Sequence, residues 1–193
     1  MVVVTATLAF SSLFIGQYGM SFTDTIKSVF GISNGIEADN IQKIILNIRI
    51  PRTLASVIIG GVLAIAGLTY QCVFRNTLVS QDILGVSTSS CVGAALGIVL
   101  GFGVFQTQLF AFILGVLNIG LIFILSSKIK LDKTLSLILS GILIGGAMSS
   151  VLALIKYMAN PETQLQAIVF WTMGDISSIS LEQLGFIAIP VTI

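Results

Sequence analysis

Two arginines three residues apart, in Arg49-Ile-Pro-Arg52, are the first side chains in the chain that could do more than pack. A guanidinium presents a planar fork of N–H donors that matches a carboxylate, so the pair could bind an acidic protein partner. The same pair could instead anchor to phospholipid headgroups. Pro51 suits a first helical turn, which predicts that a helix starts here with both cations opposing its macrodipole.

A polar, turn-prone segment over 74–87 is the second candidate, and Asp82 is its only acid. It is either an ordinary connecting loop or irregular backbone that lines a cavity, the one setting in which such backbone is tolerated at membrane depth.

A third candidate covers 160–175. Asn160-Pro161 predicts the end of a helix. The uncharged residues 163–174 are too few to cross a bilayer, which predicts a re-entrant or interfacial helix. Trp171 is either a headgroup-level anchor or part of the mouth of a pathway.

Enzymatic chemistry is not expected. The chain has no histidine, which removes His-based metal sites and Ser-His or Cys-His pairs. Cys72 and Cys91 lie in apolar stretches and are too few for a zinc site. We therefore predict no catalytic residue, no metal and no cofactor. A net charge of +1 gives no basic footprint for nucleic acid.

The composition places the chain in a lipid bilayer. Of its 193 residues 55% are hydrophobic and 9% charged, against about 25% charged in soluble domains; its mean hydropathy is +1.07. A spanning helix needs roughly 20 apolar residues. The uncharged stretches cover 1–23, 53–74, 83–127 and 134–155. The third is over twice as long as one span, so it must fold back, with the turn predicted at 101–108.

These stretches predict an all-α, polytopic transmembrane helix bundle with about five full spans and the start of a sixth near Gln183. We expect 1–193 to be a single transmembrane domain that is incomplete at its C-terminus. The first stretch is predicted to be a retained helix, since it lacks the positive n-region of a signal peptide. Charge does not fix the orientation, although the basic cluster 128–133 favours the cytoplasm.

Small residues four apart indicate where the helices approach one another, because membrane helices associate by close backbone packing. The predicted packing residues are Gly60 and Ala64 in the second span, Gly93, Gly97 and Gly101 in the third, and Gly141 and Gly145 in the fifth.

Four segments together resemble one family, the permease subunits of bacterial ABC importers for iron-siderophores, haem and vitamin B12. They cover nearly the whole chain in the family's order and spacing: Arg49–Arg52, Gly61–Gln71, Arg75–Gly85 and Leu165–Gly174. The third departs from the family pattern, because Thr77 stands where the family has proline and Ser80-Gln81 replaces its acidic-Pro pair.

The resemblance implies about ten spans, so this chain corresponds to the N-terminal half and a little more. It implies a multi-pass protein of the bacterial inner membrane whose partners are a second permease subunit (in a homo- or heterodimer), cytoplasmic ATPase subunits and an extracytoplasmic substrate-binding protein. The implied function is ATP-driven import of an iron-siderophore-type chelate, haem or cobalamin, with ATP hydrolysed in a separate subunit.

The resemblance also implies roles for particular residues. Arg49 and Arg52 match the arginines that dock the binding protein. The equivalent of Asn76, Thr77 and Leu78 narrows the pathway on the cytoplasmic side, and Thr77 makes this gate loop less rigid than usual. The helix equivalent to 164–174 flanks the outer mouth, with Gln164, Gln166 and Trp171 as its candidate residues.

An ion-gradient-driven secondary transporter or channel is the alternative function. It would need ionisable groups at mid-depth, and Arg75 and Asp82 are the interior candidates. Because the uncharged spans hold no interior charge, we expect a pathway without strong binding groups.

Overall fold

A computed structural model of the chain describes residues 2–12, 36–77, 80–177, 179 and 184–185. Within these ranges the chain forms helices and connecting turns, without a strand. It divides into two compact units, one of residues 1–65 with 176–193 and the other of residues 66–175.

The first unit holds α1 (Val2–Ser12), α2 (Ile36–Ile44), a π-helical turn (Ile45–Arg49) and the start of α3 (Ile50–Phe74). The π turn is closed by the Ile50 N–H, which donates to the carbonyl of Ile45. A π turn is wider than an α turn, so Pro51 fits without interrupting the helical backbone.

This backbone corrects one sequence expectation. An α-helix does begin at Ile50, but it continues a helical stretch that starts at Ile36. Arg49 and Arg52 therefore lie inside a continuous helix, where few N–H groups are unpaired, and the argument that they oppose a helix N-terminus is wrong.

The second unit contains a 3-10 helix (Gln81–Leu84), α4 (Val86–Val99), α5 (Val104–Lys128), α6 (Lys133–Met158) and α7 (Gln164–Met173). The Asp132 side chain caps α6 by accepting from the Thr134 N–H at 3.1 Å. The short helix predicted within 163–174 is confirmed as α7.

Three described helices are long and apolar enough to cross a membrane: 40–74, α5 and α6. The predicted fold-back of the long uncharged stretch is confirmed, with its turn at 100–103, ahead of most of the predicted range. However, the 14 residues of α4 rise only about 21 Å, less than the ~30 Å hydrocarbon core. Of the two spans predicted from the stretch 83–127, α5 is long enough to cross the core and α4 by itself is not.

The count of five spans stays a prediction. Of the first uncharged stretch the structure describes only residues 2–12, and the expected start of a sixth span lies outside the described residues apart from 184–185.

Large apolar side chains remain exposed along α5, including Phe112 and Ile124. Such a surface suits contact with lipid rather than water.

Glycines bring α4 and α5 into backbone contact. A Cβ atom built on Gly93 would lie 2.5 Å from the Phe110 carbonyl oxygen, and one on Gly97 would lie 3.2 Å from the Cα of Thr107. Only a residue without a side chain allows this approach at Gly93.

Gly101 differs from this pair. It lies in the turn after α4 with φ +76°, and a built Cβ would meet nothing within 4 Å among the described residues. A positive φ favours glycine for conformational reasons, and the packing role of Gly101 stays a prediction. Gly60 also has no atom within 4 Å of a built Cβ in the described part of the chain, and Ala64 is exposed. The packing role of these two stays a prediction.

Candidate transport site

The polar segment between α3 and α4 ends on the glycines of α6. A Cβ on Gly141 would lie 2.8 Å from the Ile83 carbonyl oxygen, and a Cβ on Gly85 would lie 2.6 Å from the Cα of Gly145. Gly85 itself has φ +63°. Irregular backbone is thus packed directly against a helix about halfway along its length, and burial in protein is one of the settings in which such backbone is tolerated at membrane depth.

Asn118 of α5 holds the same backbone from the other side. Its Nδ2 donates to the Leu84 carbonyl oxygen at 2.9 Å, and its side chain is buried. Its Oδ1 atom is buried without a hydrogen-bond partner in the described part of the chain. Sequence reasoning missed this residue. The available signal was the one amide within the apolar run 109–125, because polar groups are placed in lipid only at a cost.

The start of the segment has a strained conformation. Arg75 follows α3 with φ +48°, the left-handed region that side chains disfavour by about 1–2 kcal/mol. Its N–H donates to the carbonyl of Cys72, and the N–H of Asn76 donates to that of Gln71. This is the pattern of a Schellman cap, in which glycine is the usual residue.

The predicted gate residues follow this cap. Asn76 and Thr77 are exposed, and Leu78 lies outside the described residues. The segment therefore has an exposed start and a firmly packed end.

A groove of about 350 Å³ opens between α4 and α6. Lys156 is the charged side chain that lines it; the other lining residues are Ser87, Thr88, Cys91, Ser149, Leu152 and Ala153. The Ser87 hydroxyl also donates to the Asp82 carboxylate at 2.9 Å. The uncharged stretch 134–155 ends just before Lys156, but α6 continues to Met158 and carries Lys156 within it.

Gln164 joins α7 to the end of α4. Its Nε2 donates to the Val99 carbonyl oxygen at 3.2 Å, and its Oε1 accepts from the Asn160 N–H at 3.1 Å. It thereby satisfies one of the carbonyls left unpaired at a helix end.

The other two predicted mouth residues lie on the same helix. Gln166 is exposed and Trp171 is half-buried. Ile168, on the opposite side of α7 from Gln166, is fully buried against Ala95 and Ala159. The helix is therefore firmly seated on its own unit.

The two arginines belong to the first unit. The Nε and Nη2 atoms of Arg52 both donate to the carbonyl oxygen of Ser177, at 3.0 and 2.6 Å. Arg52 is nevertheless exposed, and Arg49 is half-buried. A guanidinium has five N–H donors, so these bonds leave others for a partner.

The candidate gate and mouth residues thus share one compact unit with the groove, whereas the arginines lie in the other. The described residues contain no group of three or more Cys, Asp or Glu that could hold a metal ion.

Helices that pack around the end of a polar, irregular segment and expose apolar faces elsewhere are typical of a membrane transport protein. Residues 4–193 match the FecCD transport family. The chain belongs to this family, and the resemblance found in its four sequence segments is confirmed.

Named relatives agree with this assignment. The chain is 32% identical over 191 residues to the molybdate import system permease protein MolB of Haemophilus influenzae, covering 98% of this chain and 56% of MolB. It is 31% identical over 145 residues to the vitamin B12 import system permease protein BtuC of Klebsiella pneumoniae, covering 74% of this chain and 43% of BtuC. The chain spans about half the length of these curated relatives.

A solved structure has the same fold. It is described as a metal-chelate type ABC transporter in an inward-facing conformation, and it superposes with a TM-score of 0.82 at 31% identity. The match covers 99% of this chain and 57% of that one.

Proposed function

We propose that this chain forms part of the permease of an ATP-driven importer in the bacterial inner membrane. The observation that carries the proposal is the family match over residues 4–193 together with a similar solved fold over 99% of the chain. The proposed partners are a second permease subunit, two cytoplasmic ATPase subunits and an extracytoplasmic binding protein. ATP binding in the ATPase subunits would drive alternating access, with the permease doing no bond chemistry.

The packing of the second unit suits this mechanism. Backbone contacts at Gly93, Gly141 and Gly145, with the Asn118 hydrogen bond, join α4, α5, α6 and the 3-10 helix. Close-packed elements of this kind move as a rigid body rather than deform.

The segment that begins with the strained Arg75 cap is the proposed cytoplasmic gate loop. Backbone strain of this kind persists where the surrounding structure imposes it, and it is concentrated at functional sites. Asn76, Thr77 and Leu78 are the proposed gate residues, and Gln164, Gln166 and Trp171 flank the proposed outer mouth.

The proposed substrates are metal chelates of the siderophore, haem or cobalamin type. The relative named for molybdate import adds a small oxyanion to this range.

Uptake into proteoliposomes tests the function. The complex is purified through a tag on this chain, reconstituted with ATP inside and supplied with binding protein and labelled substrate outside. We expect uptake that requires both ATP and the binding protein. Uptake driven by an ion gradient without ATP would instead favour the secondary transporter.

Arg49 and Arg52 are the proposed docking residues for acidic groups on the binding protein. We expect Arg49→Glu and Arg52→Glu to weaken docking, measured as binding-protein affinity for the reconstituted complex. Arg52→Gln separates the lost charge from the repulsion that glutamate adds. Lys130→Glu is the matched control, because it reverses an exposed charge in the basic loop expected on the cytoplasmic side. Unchanged docking in both arginine variants would leave headgroup anchoring as their role.

A further inference from the structure

The groove between α4 and α6 contains a cation, Lys156, which lies just beyond the uncharged stretch 134–155. Lys156 lies on the same face of α6 as Ser149, Leu152 and Ala153, since these positions are spaced by three, four and seven residues. The opposite wall is the start of α4, with the side chains of Ser87, Thr88 and Cys91. Lys156 is half-buried, so part of its side chain remains accessible to solvent.

The charge of this groove is unbalanced. Among the described residues, no carboxylate oxygen lies within 4.0 Å of the Lys156 ammonium, the distance that defines an ion pair. Asp82 does not line the groove, although its carboxylate accepts a hydrogen bond from the hydroxyl of Ser87, which does. The Thr88 hydroxyl has no hydrogen-bond partner in the described part of the chain and is available as a donor.

A cation on an apolar helix is costly unless water, an opposite charge or a ligand stabilises it, so charged residues there mark substrate paths. Two functions fit a lysine near a helix end. It can extend to the lipid headgroups, or it can act on what enters the groove. The groove favours the second, since the hydroxyls of Ser87, Thr88 and Ser149 line it together with Lys156 and can hydrate or bind a solute.

We propose that Lys156 makes this groove selective for net-negative substrates, either a tetrahedral oxyanion or an anionic metal chelate. The inference rests on the proposed function and adds the charge class of the substrate to it. A single positive charge in a low-dielectric cleft raises the local concentration of anions and lowers that of cations. On the expected orientation Lys156 stands toward the outer end of α6, so an incoming substrate meets it early. The sequence predicted a pathway without strong binding groups; on this proposal, Lys156 is such a group.

Cys91 lines the same groove, so the rate at which charged reagents modify its thiol measures the charge of the groove without a transport assay. In a Cys72→Ser background, the rates at which anionic and cationic methanethiosulfonate reagents modify Cys91 are measured in the reconstituted complex. We expect the anionic-to-cationic rate ratio to fall on the order of ten-fold in Lys156→Gln, as one nearby charge acts with opposite sign on the two reagents.

Two further variants make the result specific. Lys156→Arg should keep the anionic-to-cationic rate ratio, because the positive charge stays. Lys133→Gln should also leave the ratio unchanged, because this substitution removes a positive charge from the other end of α6. A ratio that does not respond to Lys156→Gln, or a Cys91 that reacts with neither reagent, would overturn the proposal.

Uptake assays then identify which class of anion is the transported substrate. Molybdate, an anionic ferric chelate and a neutral ferric chelate are compared as substrates. Lys156→Gln should raise KM several-fold for whichever anion is transported and leave the neutral chelate unchanged. An equal effect on anionic and neutral substrates would assign Lys156 to headgroup contact only. Absence of any ATP-dependent uptake by the native complex would count against the proposed function, while the Cys91 rate ratio would still decide the charge of the groove.

Discussion

Replacing Gly93 by alanine places a methyl group where α4 and α5 meet backbone to backbone. The added Cβ would lie 2.5 Å from the Phe110 carbonyl oxygen and 2.8 Å from the Cα of Ala111, where real Cβ contacts essentially never fall below 3.0 Å. Both are main-chain atoms, so no rotamer change can relieve the contact. One helix must move relative to the other.

The magnitude follows from two opposing terms. Alanine gains about 0.8–1.0 kcal/mol over glycine in intrinsic helix propensity. Overpacking of a tight contact costs typically 1–3 kcal/mol, and the upper part of that range applies because backbone must shift. We expect Gly93→Ala to lower the free energy of unfolding by about 1–2 kcal/mol, or roughly ten-fold in the equilibrium constant.

The assay is SDS-induced unfolding of the detergent-solubilised protein, followed by circular dichroism and by the fluorescence of the single tryptophan, Trp171. Gly120→Ala is the control, because a Cβ there meets nothing within 4 Å in the described residues. Gly97→Ala should fall between the two, since its nearest contacts are at 3.2 Å. A Gly93→Ala protein as stable as Gly120→Ala would refute the backbone-contact argument.

Three further variants probe the polar segment and its supports. Asn118→Leu should destabilise the protein by about 1–3 kcal/mol, because it leaves a buried carbonyl unpaired; this is measured in the same SDS titration. Gly85→Ala should be more severe than an ordinary glycine substitution, since φ is +63° and Gly145 blocks the new Cβ; purified yield and unfolding midpoint check this. Gln164→Leu should release the end of α4 from α7 and shift Trp171 emission without altering total helicity. Unchanged emission would show that apolar packing alone seats α7.

Much of the architecture follows from local sequence. The uncharged stretches predicted α5 and α6 because a charge in lipid is costly wherever the helix stands. Pro161 and the short apolar run after it predicted α7 in the same way, because the end of a helix at proline and the length of an apolar run can both be read from neighbouring residues. The glycine spacing likewise predicted Gly93, Gly141 and Gly145, which lie at close backbone contacts.

Other features depend on contacts between residues far apart in the chain. Hydrophobicity alone could not show that α4 is too short to span, because the residues before it pack as irregular backbone on α6. Nor could it pair Asn118 with the Leu84 carbonyl, 34 residues earlier. The helix that contains Arg49 and Arg52 looked like a helix start because the π turn that admits Pro51 has no simple sequence signal.

The sequence by itself determined the solvent and the class of fold, because transfer of side chains into lipid is a sum of local free energies. The tertiary structure decided which polar groups meet. Lys156 became part of a groove only when α4 and α6 packed side by side, and the polar segment became part of a candidate pathway only when glycines and an amide fixed its end. Such encounters depend on how helices pack in three dimensions, which residue spacing along one helix does not contain.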